Sequence, residues 1–287
     1  MLARFIRRAS THASSNNFLS YEIHDSPGTH KCLYVLHGLL GTGRNWRSMS
    51  QNLRKALGTD TWRVVAVDLR GHGKSRDVGK GSSHDVRSAA KDVEALAQLR
   101  GDTIDCLIGH SLGGKIALEF SKSSAKAPKQ VWSLDSVPGT AIGGDVHGVE
   151  KVLQAVQQLP QRIPSRRALA TLLAPYNFST ELVDWLGSNL QNVGDELEFV
   201  FDINVAIKMY DSYHTTDSWP ALEAPVSEMF VVKAARSARW KPECLERLNR
   251  APQDRVKFLE LENAGHWVHS DNPRGLLEML QTHISKI

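Results

Sequence analysis

Short apolar runs alternate with amphipathic stretches along most of the chain. Lys31 to His37, Arg63 to Asp68, Ile104 to His110, Gln130 to Asp135, Glu228 to Lys233 and Lys257 to Leu261 are largely continuous in their apolar character. A strand buried on both faces needs apolar side chains on both, so this continuity predicts a parallel sheet covered on each side. Phe18 to His24 alternates instead, as an edge strand does. Helical spacing appears near Trp46 to Leu57, Ser83 to Leu99, Gly114 to Lys122 and Arg274 to Ile284. Strand followed by helix, repeated, predicts a doubly wound α/β sheet. The rhythm breaks between Val137 and Ala224. That stretch has helical patterns at Val149 to Leu159, Arg166 to Leu173 and Thr180 to Leu190, and Pro138, Pro160, Pro164 and Pro175 punctuate it. It has no convincing buried strand. It therefore reads as a helical cap, residues 138–224, inserted into a core of residues 18–137 and 225–287.

In open α/β sheets the ligand site lies beyond the carboxyl ends of the strands. His37-Gly38, Asp68, Ser111 and Asp135 all fall at such ends, and His266 follows the last strand. Gly109-His110-Ser111-Leu112-Gly113 reads G-x-S-x-G between an apolar run and a helical pattern. There the glycines permit a tight bend that leaves the serine Oγ exposed above the sheet. A serine is a poor nucleophile at its own pKa and needs a base. Among the 12 histidines, His266 suits that role, because Asn263-Ala264-Gly265 can aim it back over the sheet. His269 reads as structural, and His110 as packing away from Ser111.

Ala234-Ala235-Arg236-Ser237-Ala238-Arg239, after the strand ending near Lys233, holds no carboxylate. Asp135 ends the previous strand and fills that gap, accepting Nδ1–H from His266 to fix its tautomer. The backbone N–H groups of Leu112 and Leu39 are the expected oxyanion donors, the second from His37-Gly38-Leu39-Leu40-Gly41. Asp68-Leu69-Arg70-Gly71-His72-Gly73-Lys74-Ser75 is glycine-rich but lacks phosphate-loop spacing. It reads as a turn bracing the nucleophile loop. Trp185, Phe199, Phe201, Tyr210 and Trp219 are available to line an apolar pocket or to fill the core of the cap.

Together HGLLG, DLRGHGKS, GHSLGG and NAGHWVH resemble the α/β-hydrolase superfamily from about Phe18 to the C-terminus. HGLLGTGRNW, VAVDLRGHGKS, GHSLGGKIAL and AGHWVHSDNP are similar to the serine esterases grouped with α/β-hydrolase domain-containing protein eleven and the bacterial YbfF type. The resemblance implies an α/β-hydrolase fold, a mostly parallel eight-stranded sheet covered by helices, with an inserted helical cap. Those esterases carry their acid after strand six, where Asp135 falls. They have a GGNS-like segment where this chain has Ala234-Ala235-Arg236-Ser237. The implied activity is hydrolysis of a small-molecule acyl ester or thioester through an acyl-enzyme on Ser111, with no metal or cofactor. An acyltransferase or C–C hydrolase could run on the same triad, and a ligand receptor could keep the fold. A serine at the elbow argues against the branches that use a carboxylate nucleophile.

Charge sharpens the picture at the N-terminus. The formal charge is +4, but the first 21 residues hold Arg4, Arg7 and Arg8 and no Asp or Glu. Without those three arginines it falls to +1, which gives no case for nucleic acid as a partner. The Arg- and Ser/Thr-rich, acid-free start at residues 1–17 reads as an organelle-import leader. Mitochondrion is the expected destination, which the animal member of the resembled group shares; cytoplasm and plastid are the alternatives. No run approaches the ~20 apolar residues of a membrane span. Cys32, Cys106 and Cys244 have neither metal-ligand spacing nor a disulfide framework. Nothing in the chain calls for more than a monomer.

Overall fold

The structure is a computed structural model describing residues 18–123, 125–140 and 148–287. The leader expected at 1–17 and part of the expected cap, 141–147, lie outside the described residues. In chain order the elements begin with β1 (Tyr21–His24), β2 (Lys31–Leu36), α1 (Arg47–Leu57), β3 (Trp62–Val67) and α2 (Val86–Arg100). Then come β4 (Cys106–His110), α3 (Leu112–Ser123) and β5 (Gln130–Leu134). The stretch before the next sheet strand holds α4 (Val149–Gln157), α5 (Arg166–Leu173), α6 (Thr180–Ser188), β6 (Leu190–Val193), β7 (Glu196–Phe199), α7 (Ile203–Thr215) and α8 (Trp219–Glu223). The chain ends with β8 (Glu228–Ala234), α9 (Pro242–Asn249), β9 (Val256–Leu261), α10 (Val268–Asp271) and α11 (Pro273–Ile284).

The main sheet runs β1-β3-β2-β4-β5-β8-β9. Only β1 is antiparallel to its neighbour. The sheet has seven strands among the described residues, not the eight that the resemblance implied. The described chain ahead of β1, Phe18 to Ser20, is too short for another strand, and Ser20 accepts a hydrogen bond from the Asp68 amide instead. Side chains of β2 alternate between two cores, as the period of a strand requires. Leu33 and Val35 pack with residues of α1 and α11, while Tyr34 and Leu36 pack with α2 and α3. Each face of the sheet is thus sealed, which explains the continuous apolar runs.

Two helix starts differ from the pattern. The expected helix at Ser83 begins at Val86, because the Asp85 carboxylate accepts the Ser88 amide and caps it there. The helix after the G-x-S-x-G begins two residues early, at Leu112. The Ser111 carbonyl accepts the amides of Gly114 and Lys115 and closes that first turn.

The stretch between β5 and β8 is not wholly helical. β6 and β7 pair as an antiparallel hairpin across Gly194-Asp195, with Gly194 at φ 62°. A two-residue turn opening on glycine is a hairpin signal. Its strands are only four residues long and half-exposed, so no buried apolar run marks them. The stretch has its own core, which Leu40 joins from the loop after β2.

The two stems of this stretch meet on a buried cation. Lys115, on α3, is fully buried. Its ammonium donates to the carbonyls of Gly139 at 2.8 Å, Tyr213 at 2.6 Å and Thr216 at 3.0 Å. Burial pulls its pKa down to about 7. Gly139 leads into the stretch and Tyr213 and Thr216 lead out of it, so one side chain ties both ends to the helix that begins at Ser111. Lys115→Met would strand one buried and two part-buried carbonyls, each costing up to about 1–3 kcal/mol. The expected result is a melting temperature lower by roughly 10 °C. An unchanged melting temperature would show that the stems hold together without it.

Candidate active site

The loop after β2 and the bend after β4 lie side by side, because β2 and β4 are hydrogen-bonded neighbours where the strand order reverses. Ser111 sits at φ 53°, a left-handed conformation that costs a non-glycine residue about 1–3 kcal/mol. Its amide donates to the Leu134 carbonyl at 2.9 Å, which pins the bend to β5. The flanking glycines are required by close approach. A Cβ on Gly109 would stand 2.0 Å from the Gly113 carbonyl oxygen, and one on Gly113 would stand 2.5 Å from that of Leu36.

His266 reaches the same place from beyond β9. Asn263 turns at φ 56°, and the Gly265 amide donates to the Asp271 carboxylate at 2.8 Å. His266 Nδ1 lies 2.7 Å from Asp135 Oδ2. Asp135 is fully buried at φ 42°, just past β5. Its carboxylate also accepts from Trp240 Nε1 at 2.8 Å, Ser237 Oγ at 2.9 Å and the Ala234 amide at 3.2 Å. Burial would push this carboxyl up, but the hydrogen bonds from His266, Trp240 and Ala234 outweigh it and hold it below the usual carboxylate value. Burial likewise lowers His266, against the opposing pull of Asp135, so the imidazole is neutral near pH 7. Its Nε2 has no partner among the described residues. No hydrogen bond joins His266 to Ser111 Oγ, although both line one cavity. Such bonds often tighten only around a substrate.

Ser237 and Trp240 escaped the sequence reading. The segment from Ala234 holds no carboxylate but supplies donors to one. Its polar residues after a strand end were the available signal. His110 is buried and packs against the rings of Trp46, His266 and His269, as expected. Its Nε2–H donates to the His266 carbonyl at 2.7 Å, and the residue also lines the cavity. His269 stacks on Trp46 at 4.3 Å, also in the cavity wall.

Leu39 and Leu112, whose amides are the expected oxyanion donors, both line the cavity. The Leu112 amide opens α3 and has no acceptor within its own helix. Neither it nor the Leu39 amide finds an acceptor among the described residues. The neighbouring amides are occupied: Leu40 donates to His72 Nε2 at 3.1 Å and Gly41 to the Gly38 carbonyl at 3.1 Å. Leu40 takes φ 60°. Two buried histidines hold this loop. His37 Nδ1–H donates to the Gly38 carbonyl at 2.7 Å while its Nε2 accepts the Leu69 amide at 2.9 Å. His72 Nδ1–H donates to the Arg70 carbonyl at 2.8 Å. Asp68 accepts the amides of Gly43 and Lys74. The DLRGHGKS turn therefore braces the loop after β2, not the nucleophile loop.

The cavity measures about 230 Å³. Val149, Val152, Leu182, Trp185, Tyr210 and Tyr213 line its outer side, all from the stretch between β5 and β8. Of the five aromatic candidates, Trp185 and Tyr210 reach the cavity. Phe199 and Phe201 stack on each other at 4.8 Å, and Trp219 packs under Arg247. Among the described residues, no cluster of three or more His, Cys, Asp or Glu could hold a metal ion. None of their helices is long and apolar enough to cross a membrane.

The family model described as "Alpha/beta hydrolase family" matches residues 33–279. The chain is 26% identical to the sn-1-specific diacylglycerol lipase ABHD11 of Mus musculus, over 93% of this chain and 85% of that one. It is 21% identical to Esterase YbfF of Escherichia coli, over 88% of this chain and 92% of that one. Among solved structures, a marine microorganism esterase superposes with a TM-score of 0.78 at 23% identity. That match covers 92% of this chain and 98% of the other.

Burial drops the pKa of His37 to about 4 and that of His72 to about 3. Both must stay neutral, since each Nε2 accepts a backbone amide. The unfolded chain takes up these protons near pH ~6.5 while the folded one does not. Stability is therefore expected to be full above about pH 6.5 and to fall toward pH 4, by on the order of 3 kcal/mol per histidine. Urea midpoints across that range test this, with a shallower slope in His72→Gln. A native midpoint that does not move between pH 7 and 5 would contradict it.

Proposed function

The chain belongs to the alpha/beta hydrolase family, and on that footing we propose that it is a serine hydrolase of carboxylic (acyl) esters or thioesters working through an acyl-enzyme. One observation carries this reading. The His266–Asp135 pair, Ser111, and Leu39 and Leu112, whose amides have no acceptor among the described residues, meet at one largely apolar cavity. The names of the curated relatives, a lipase and an esterase, agree with it.

Ser111 Oγ attacks the acyl carbonyl carbon while His266 Nε2 takes its proton. Asp135 holds Nδ1–H, which fixes the tautomer and stabilises the imidazolium. The oxyanion rests on the Leu39 and Leu112 amides, which are pre-aimed and so cost no reorganisation during reaction. As the tetrahedral adduct collapses, His266 hands the proton to the leaving alcohol or thiol. Water, deprotonated by His266, then attacks the acyl-enzyme, and the acid leaves as Ser111 regains its proton. Residues 138–224 act as a cap over the 18–137 and 225–287 core, and their apolar side chains receive the acyl chain. Residues 1–17 carry the protein into mitochondria.

A fluorophosphonate probe is expected to label the protein at Ser111. Labelling disappears in Ser111→Ala and drops strongly in His266→Ala; undiminished labelling in Ser111→Ala sinks the assignment. Asp135→Asn should cut turnover of a p-nitrophenyl ester by about 10³–10⁴-fold with the fold intact. Because burial lowers His266, the acid limb of kcat/KM is expected below the ordinary histidine value of 6.5. A limb above that value would mean the base is another group. Fused to a fluorescent protein, residues 1–20 should reach mitochondria, and the Arg4, Arg7 and Arg8→Gln variant should stay cytosolic.

A further inference from the structure

Arg239 is the cavity's one formally charged lysine, arginine, aspartate or glutamate among the described lining residues. It stands on the loop between β8 and α9, beside Trp240 and two residues past Ser237, both of which bind Asp135. Other arginines drawn into the fold have acceptors: Arg70 pairs with Asp92 at 2.6 Å, Arg100 with Asp102 at 2.6 Å, and Arg54 donates to the carbonyls of Trp62 and Thr59. Arg239 has no acceptor among the described residues. A ligand closing over an unpaired guanidinium strips its water and gains nothing in return unless it supplies an acceptor.

A second observation points the same way. The charge of Arg239 opposes protonation of His266. Yet His266 must become an imidazolium in the transition state. An anion beside Arg239 would cancel that opposition when it is needed, so a charged substrate would relieve a penalty that a neutral one must bear.

We propose that Arg239 recognises an oxyanion, a carboxylate or phosphate, carried by the leaving half of the substrate. The assignment to the leaving half rests on the serine-hydrolase reading, because His266 delivers its proton to that half and Arg239 shares its wall. The planar guanidinium can hold either oxyanion through two parallel N–H bonds.

The test separates binding from turnover. Phenol, 3-hydroxybenzoate and phenyl phosphate are titrated against the quenching of tryptophan fluorescence, since Trp46, Trp185 and Trp267 line the cavity. At least one of the anions should bind about tenfold or more tighter than phenol, and which one does so identifies the group. The advantage should shrink with salt in the native protein, disappear in Arg239→Met and survive in part in Arg239→Lys. Equal binding of phenol and both anions, or an advantage kept in Arg239→Met, overturns the proposal. In turnover, kcat/KM for 3-(butanoyloxy)benzoate over phenyl butanoate should exceed about ten and fall toward one in Arg239→Met. With phenyl butanoate, that variant should also move its acid limb up toward 6.5. If neither ester is cleaved and Ser111 takes no probe, the hydrolase reading fails, while the binding titration still decides whether Arg239 is an anion site.

Discussion

The left-handed bend at Ser111 is the constraint on which the rest of the site depends. It brings β4 and α3 so close that the Gly109 and Gly113 positions have no room for a Cβ. The bend is unfavourable by itself, so it survives only because the surroundings over-determine it. The Ser111 amide is held by β5, its carbonyl closes the first turn of α3, and Gly113 lies against the carbonyls at the end of β2. Three central strands thus converge on one residue. The same turn sets Leu112 at the helix start beside the cavity, so the proposed nucleophile and one proposed oxyanion donor are products of one turn.

Around the bend, the Asp135 carboxylate and the rings of His37 and His72 are fully engaged. Asp135 accepts four hydrogen bonds, from His266, Trp240, Ser237 and Ala234. That many donors fix the carboxylate as an anion and so fix which nitrogen of His266 is protonated. The loop after β2 is held by the same logic with neutral groups. His37 and His72 each donate through Nδ1 and accept through Nε2, so the amide of Leu40 is spent on His72 while that of Leu39 has no acceptor among the described residues. Rigidity here is specific: it decides which amide is available and which is not.

The stretch between β5 and β8 is joined to this machinery rather than merely laid over it. Leu40 enters its apolar core from the loop that carries Leu39. Lys115, one turn into α3, grips both of its stems. The elements proposed to choose the acyl chain and those proposed to do the chemistry therefore share residues. Arg239 breaks the pattern of satisfied groups. It is a cation lining an apolar cavity beside the proposed catalytic base, and on the present proposal the substrate completes it.

Patterns that repeat locally were legible in the chain. Continuous apolar runs marked the strands because both sheet faces are covered, and the placement of Ser111, Asp135 and His266 after strand ends pointed to one end of the sheet. Local periodicity could not show the β6–β7 hairpin, whose strands are short and half-exposed. Nor could it distinguish the Leu39 amide from that of Leu40, since that difference rests on His72, 32 residues away. Ser237 and Trp240 went unread because their partner, Asp135, is more than a hundred residues distant and meets them only where β5 and β8 lie side by side. The segment after β8 holds no carboxylate, and its donors have meaning only beside Asp135. Hydrogen-bond partners across strands are chosen by sheet order and register, and those are properties of the folded chain as a whole.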